Sequence, residues 1–540
     1  STIHSFAWSM IQPFSKEIVA WLGERLEGDI AELEALESRA RSGTKASEKR
    51  QLDLVAKRQR LAALSSISSF NYSPSQTSVS PDGLAHAEVL QIAAHLLSSK
   101  PLLQKILVGR YPFLLIDEVQ DTNAGLMDAI LLVQAANAAN FCVGLFGDTM
   151  QRIYSDGKTD LEGTIGADWR RPALETNYRS SRRVVELINA IRSETDGRQQ
   201  LAASSRPGTA RLYIEPALDA DHARFESGVR SEMAEATGDA EWETMTSVKT
   251  LILEHALAAR RHGFQQLFDA LGSDPALRKT VVSRDSDSSE IIKFIRSVFL
   301  PLMQSIQSED NLATEQILRV HSPILDAGGH VEDEPYPKMV SLVRQAVADV
   351  RSAINGPDQS IRELLAAVHH SNALTLPATP ALLVSNTSQP SKAGVEGSEF
   401  ETDTRFKAWD SALSVEVQQY ERLSEYLDGN APFDTHQGVK GLQFPRVMVV
   451  LDDHSSKGFL FSYEKLFGAK PISETDQKNV ASGVETSVDR TLRLFYVTCS
   501  RAEESLVVVL YTSDVAKARQ SAIERGWFRE EEVVVLTDAW

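Results

Sequence analysis

The chain has 540 residues, 42% of them hydrophobic and 24% charged, with a formal net charge of −18. That length exceeds what one hydrophobic core serves and implies two or more domains. The acidic balance argues against a protein that simply coats nucleic acid, since blanket phosphate neutralisation wants a basic surface; a channel lined locally by Lys, Arg and aromatics stays open.

The opening STIHSFAWSM has neither the basic start nor the cleavage site of an export signal. It begins at a serine rather than a methionine, so the chain is expected to be a piece of something longer. Residues 14–35 and 48–67 carry apolar positions at three- and four-residue spacing and predict helices, with SGTKAS between them as a turn. FNYSPSQTSVSPDG is a Ser/Pro/Gly-rich loop, and LAHAEVLQIAAHLLSS after it a helix. Two short apolar runs, FLLID and FCVGLFGD, flank the helical NAGLMDAILLVQAANAA and predict a βαβ unit. RLYIE, VKTLILEH, RVMVVLDD, SLVVVLYT and EEVVVLTD predict a second α/β sheet, interrupted between the second and third strands by a long helical stretch, 266–425. No run approaches the roughly 20 apolar residues that span a bilayer, so no membrane contact is expected. Cys142 and Cys499 are the only cysteines, which excludes an iron–sulfur cluster or a four-cysteine zinc site and points to a reducing, cytoplasmic setting.

The chemistry gathers at the strand ends. Parallel sheets bind ligands beyond the carboxyl ends of their strands, and FLLIDEVQDTN puts Asp117 and Glu118 there. One acid can hold Mg²⁺ and the next can orient water for attack on a γ-phosphate; a strand ending in solvated acids is the plain alternative. GLFGDTMQRIY carries Asp148 and Gln151, a glutamine able to sense a phosphate or simply to follow a helix cap. LETNYRSSRRVVELIN sets Asn177, Tyr178 and Arg179 before a helix that Ser180 or Ser181 can cap. DTHQGVKGLQFPRVMVV alone is a glycine-containing loop before a strand. LRLFYVTCSRAEESL places Arg493 and Arg501 about two helical turns apart, where arginines are usually solvated.

Taken in order, DEVQDT, GDTMQRIY, NYRSS, THQGVKGLQFP and RLFYVTCSRA resemble motifs II to VI of the UvrD/Rep-type superfamily 1 DNA helicases, and STIHSF resembles the family segment before the first helical insertion. The resemblance runs from residue 1 to about 515. It implies two RecA-like, P-loop NTPase-type parallel-sheet domains with helical insertions, the first incomplete: 1–13 with 96–170 (1A), 14–95 (1B), 171–265 with 426–540 (2A) and 266–425 (2B). It implies ATP and Mg²⁺ as cofactors, with Asp117 on the metal, Glu118 as base on the attacking water, Gln151 touching the γ-phosphate, and Arg179 and Arg501 as arginine fingers from the second sheet domain. Tyr178 would stack on adenine, with Gly441, Gln443 and Arg493 also at the nucleotide. His4, Phe6, Tyr154, Thr435 and His436 would lie near single-stranded DNA. The partners implied are single strands and single-/double-strand junctions, travelled 3′ to 5′.

Three departures stand out. Gln443 replaces the glutamate of the family's KGLEFP. SDGKTDLEG follows Tyr154 where a Trp-containing stretch is usual. The phosphate loop G-x-x-x-x-G-K-[ST] is not among these residues, since neither SDGKTD nor SGTKAS has its spacing. The expectation is therefore a helicase of which on the order of 60 or more upstream residues, two βα units, are missing, and a fragment that binds and turns over ATP poorly. A non-catalytic, helicase-shaped DNA-binding or scaffold protein is the alternative. So is the motor subunit of a helicase–nuclease complex, with a nuclease or repair partner on a separate chain, because no carboxylate cluster followed by Lys occurs outside the motifs.

Overall fold

The computed structural model describes residues 1–40, 43–72, 80–153, 157–158, 160–217, 221–283, 289–325, 336–356, 360–385, 399–456 and 460–535. Two units emerge, Ser1–Ala173 and Leu174–Trp540, and each is described by itself.

The first unit opens with α1 (Ile3–Ile11), α2 (Ser15–Ser38) and α3 (Lys45–Ala63). Helix α3 starts earlier than the SGTKAS turn predicts, because Thr44 accepts from the Ser47 N–H and caps it. The α2–α3 hairpin closes on Leu22, Leu26 and Leu54, with Arg50–Glu37 and Lys57–Asp29 pairs outside them, each 2.7 Å. Helix α4 (His86–Ser99) runs through residue 95, where a domain boundary was expected, and packs on both α1 and the later α6. After α5 (Pro101–Arg110) come β1 (Phe113–Ile116), α6 (Ala124–Ala136) and β2 (Cys142–Leu145). β1 and β2 pair in parallel, Phe113 opposite Cys142 and Ile116 opposite Leu145, which is the βαβ unit read from the sequence. One face, Ile116 and Val143, lies in the core with α4 and α6. The other is bare: Phe113 is 72% exposed and Leu115 67%, with Phe146 and Cys142 also open to solvent.

The second unit is built on a six-stranded, all-parallel sheet. Its members are α7 (Arg182–Ser193), β3 (Thr209–Pro216), β4 (Lys249–Ile252), β5 (Phe433–Thr435), β6 (Phe444–Asp452), α8 (Ser487–Cys499), β7 (Ala502–Thr512) and β8 (Val533–Val535), and the strand order is β8-β3-β7-β6-β4-β5. Val447–Leu451 and Leu506–Tyr511 are wholly enclosed, as the continuous apolar runs of a sheet covered on both faces require. Between β4 and β5 the chain makes the expected helical insertion, from His255 to Leu427, around a core that includes Phe299, Trp409 and Tyr426.

Candidate nucleotide site and strand-contacting residues

In the first unit, Asp117 and Glu118 follow the carboxyl end of β1, both exposed. Asp117 Oδ1 accepts the Glu118 N–H at 2.9 Å. Glu118 has φ +50°, a left-handed backbone that a side chain other than glycine's rarely adopts. The chain then turns over Val119–Asp121 and is pinned to the end of β2 by Val119 N–H donating to Phe146 O at 3.0 Å. Gln120, 2% exposed, lies beneath this turn. Its Nε2 donates to Glu118 Oε2 at 2.5 Å, and its Oε1 accepts the Asp148 N–H at 3.2 Å. Asp148 accepts from Met150 N–H (3.1 Å) and from Gln151 Nε2 (3.4 Å). Glu118 and Gln151, placed on separate strand ends by the sequence, are thus joined by one hydrogen-bonded chain.

SDGKTD has a structural task where it is described. Gly157 bridges to Asn123, and a Cβ on it would come 1.9 Å from Gln120 O. Lys158 Nζ pairs with Asp128 at 2.6 Å. Tyr154 lies outside the described residues. Of STIHSF, Phe6 is buried in the core of the unit, so it supports the segment rather than facing a strand. His4 is half-buried, its ring 4.5 Å from that of His86, and burial lowers its pKa.

In the second unit, Asn177 Oδ1 accepts from the N–H groups of Arg179 (3.0 Å) and Ser180 (2.9 Å), folding NYRSS into a tight turn. Ser181 occupies the cap position of α7, but neither serine caps through its hydroxyl. Ser180 Oγ donates to Ala502 O at 2.7 Å and Ser181 Oγ to Glu504 O at 3.0 Å, which fastens the turn to the start of β7. Gly208, at φ +72°, makes this closeness feasible, for a Cβ there would meet Ser181 Oγ at 1.8 Å. Tyr178 is 83% exposed, a ring open for stacking. Arg179 is half-buried; its Nε donates to Gln443 Oε1 at 3.1 Å and Nη1 to Ser500 O at 3.1 Å. Gln443 Nε2 in turn donates to Glu503 Oε1 at 2.6 Å. Gly441 takes φ +82° in the loop before β6, with open space around it.

Arg501, His436 and Thr435 are placed differently from expectation. Arg501 lies past the end of α8, at the lead-in to β7, rather than two turns along a helix from Arg493. It is 1% exposed, and its guanidinium donates to Val497 O (2.9 Å), Leu442 O (3.2 Å) and Ser500 Oγ (2.7 Å). Here it clamps the loop before β6 to the end of α8. Arg493 pairs with Glu485. His436 is wholly enclosed: Nε2 donates to Leu251 O at 3.1 Å, and Nδ1 faces Tyr463 Oη at 2.8 Å. Burial pushes its pKa down to about 4. Thr435, 3% exposed, accepts the Gly438 N–H at 3.0 Å. Both therefore shape the loop ahead of Lys440 rather than offer themselves to a strand.

Sequence reasoning gave no role to Gln120, Glu503 or Tyr463. Gln120 stands inside DEVQD and Glu503 beside Arg501, so position was a signal. What each side chain touches was not.

Among the described residues, no group of three or more His, Cys, Asp or Glu side chains is arranged to hold a metal. A lone exposed Asp117 suits Mg²⁺, which takes one or two carboxylates and completes its shell with phosphate and water. No described helix is long and apolar enough to cross a membrane.

A strand-end acid pair is thus wired to a strand-end glutamine on a parallel α/β unit, at the edge where such sheets bind ligands. Residues 36–162 match the UvrD/REP helicase N-terminal domain family. The chain is similar to the Gabija protein GajB of Bacillus cereus (strain HuB5-5), 22% identical over 466 residues, covering 80% of this chain. The match spans 63% of that relative's length.

Proposed function

We propose that the chain belongs to an ATP-dependent DNA motor that moves on single strands, in the 3′-to-5′ sense, and opens duplexes at single-/double-strand junctions. The observation that carries this reading is the continuous link from Glu118 to Gln151. It ties a general base for water to a glutamine able to register a phosphate, on the unit that matches the helicase family. Asp117 would hold Mg²⁺, which supplies charge neutralisation on the phosphates. Glu118 would take the proton from the attacking water. Arg179, held by Gln443 and Ser500, is our choice for the guanidinium that meets charge developing in the transition state. Tyr178 would offer its ring to adenine. A phosphate-binding strand and helix would pack on the bare face of β1 and β2, where Phe113 and Leu115 face solvent.

The test is ATP hydrolysis by the complete protein with and without single-stranded DNA, followed by unwinding of duplexes with 3′ or 5′ overhangs. Turnover stimulated by the strand, with 3′ overhangs preferred, supports the motor; hydrolysis absent under all conditions refutes it.

One observation favours a second reading, a helicase-shaped DNA-binding scaffold without turnover: Arg501 is committed to main-chain oxygens. Filter binding that is strong and indifferent to ATP would favour the scaffold. A nuclease or repair protein on a separate chain is the partner class we propose for either.

A further inference from the structure

We infer that Gln120 is a positioning residue that makes the hydrolytic carboxylate and the phosphate-sensing glutamine respond together; the inference deepens the motor reading and rests on it. Gln120 is 2% exposed, and its amide has one orientation that satisfies both neighbours. The Asp148 N–H can only donate, so the atom facing it at 3.2 Å is the oxygen. The amide nitrogen is then left for Glu118 Oε2 at 2.5 Å, a hydrogen bond to a carboxylate and therefore among the stronger kind.

The surroundings leave this side chain no alternative course. A Cβ on Gly147 would come 2.1 Å from Gln120 Oε1 and 2.9 Å from Val119 Cγ1, so only glycine lets the end of β2 approach so closely. Gly157 closes over the Gln120 carbonyl from the other side. Glu118 itself is held at φ +50°, a conformation that persists only where neighbours impose it. Beyond Asp148, the Met150 side chain is fully buried, anchoring the turn that carries Gln151. A shift of Gln151 toward or away from a phosphate therefore pulls on Asp148, and through Gln120 on the carboxylate of Glu118.

Two substitutions separate the two bonds. Gln120→Leu keeps the bulk and loses both. Gln120→Glu keeps an acceptor for the Asp148 N–H but sets a carboxylate against Glu118. In the complete protein, hydrolysis stimulated by single-stranded DNA should fall about tenfold or more in both variants. The unstimulated rate should fall less and the KM for ATP should stay within about twofold. A glutamine that merely fills space predicts an unchanged ratio of stimulated to unstimulated rates, and that result would overturn the inference. Hydrogen exchange of the 540-residue chain checks the link without turnover. The peptide over Asp148–Gln151 should exchange faster in Gln120→Leu and stay protected in Gln120→Glu. Equal protection in wild type and Gln120→Leu would also sink it. Absence of hydrolysis in the wild-type protein counts against the motor reading, and the exchange experiment still decides whether Gln120 couples the two segments.

Discussion

Gln443 donates its amide to the Glu503 carboxylate at 2.6 Å, and its oxygen accepts from Arg179 at 3.1 Å. Gln443, standing where the resembled KGLEFP pattern has a glutamate, thus serves a donor and an acceptor at once. A carboxylate at 443 would still receive Arg179 but would face Glu503 with no proton to give. Gln443→Glu should lower unfolding stability by about 1 kcal/mol, and Glu503→Gln in the same chain should restore it. A urea-unfolding double-mutant cycle measures this; additive losses would mean that the two side chains do not interact.

Arg179 and Arg501 should part company. Arg501 is buried on three acceptors, so Arg501→Ala should cost about 3 kcal/mol of stability whatever it does to turnover. Arg179→Ala should change stability by less than about 1 kcal/mol and reduce hydrolysis by the complete protein ~10³-fold. Paired unfolding curves and turnover rates separate the roles. An Arg501→Ala protein with normal stability and no turnover would return the finger to Arg501.

Glu118→Gln in the complete protein should lower turnover ~10²-fold or more, with nucleotide affinity within about twofold. Equilibrium nucleotide binding and steady-state hydrolysis give both numbers. Undiminished turnover would assign the base elsewhere.

His436 should leave a signature in the pH dependence of stability. Its folded pKa is lowered from 6.5 to about 4 by burial. Between those values the unfolded chain binds the proton and the folded chain does not, so stability is full above about 6.5 and falls as pH drops toward 4, by ~3 kcal/mol in all. Asp452 and Glu464, each lowered to about 2 by hydrogen-bonded partners that outweigh burial, contribute stability that is lost only in the more acidic range below about 4. Denaturant midpoints for wild type and His436→Phe across pH 7 to 4 should show a flatter slope in the variant.

The sheet strands were legible because a parallel strand covered on both faces is written as a continuous apolar run, as in RVMVVLDD and SLVVVLYT. The strand-end positions of Asp117, Glu118 and Gln151 were legible because each follows a short apolar run, whereas the link between them through Gln120 was not. The periodicity of RLFYVTCSRA says where a helix runs, but the direction of a guanidinium depends on which carbonyls the fold brings near, and Arg501 found three acceptors within its own unit. His436 was placed beside DNA by resemblance; the acceptor that encloses it, Leu251 O, comes from a strand 185 residues away in the chain. Ser180 and Ser181 had the composition of caps, yet the arrival of β7 at the same place drew their hydroxyls away.

The uncovered side of β1 and β2 has a practical consequence. Phe113, Leu115 and Phe146 form an oily band that water must cage, and the readiest relief is contact with another oily surface. Handled by themselves at high concentration, these 540 residues should cluster. Replacing Phe113 with a charged side chain should keep them dispersed in light scattering, leaving the acid pair that begins four residues further along undisturbed.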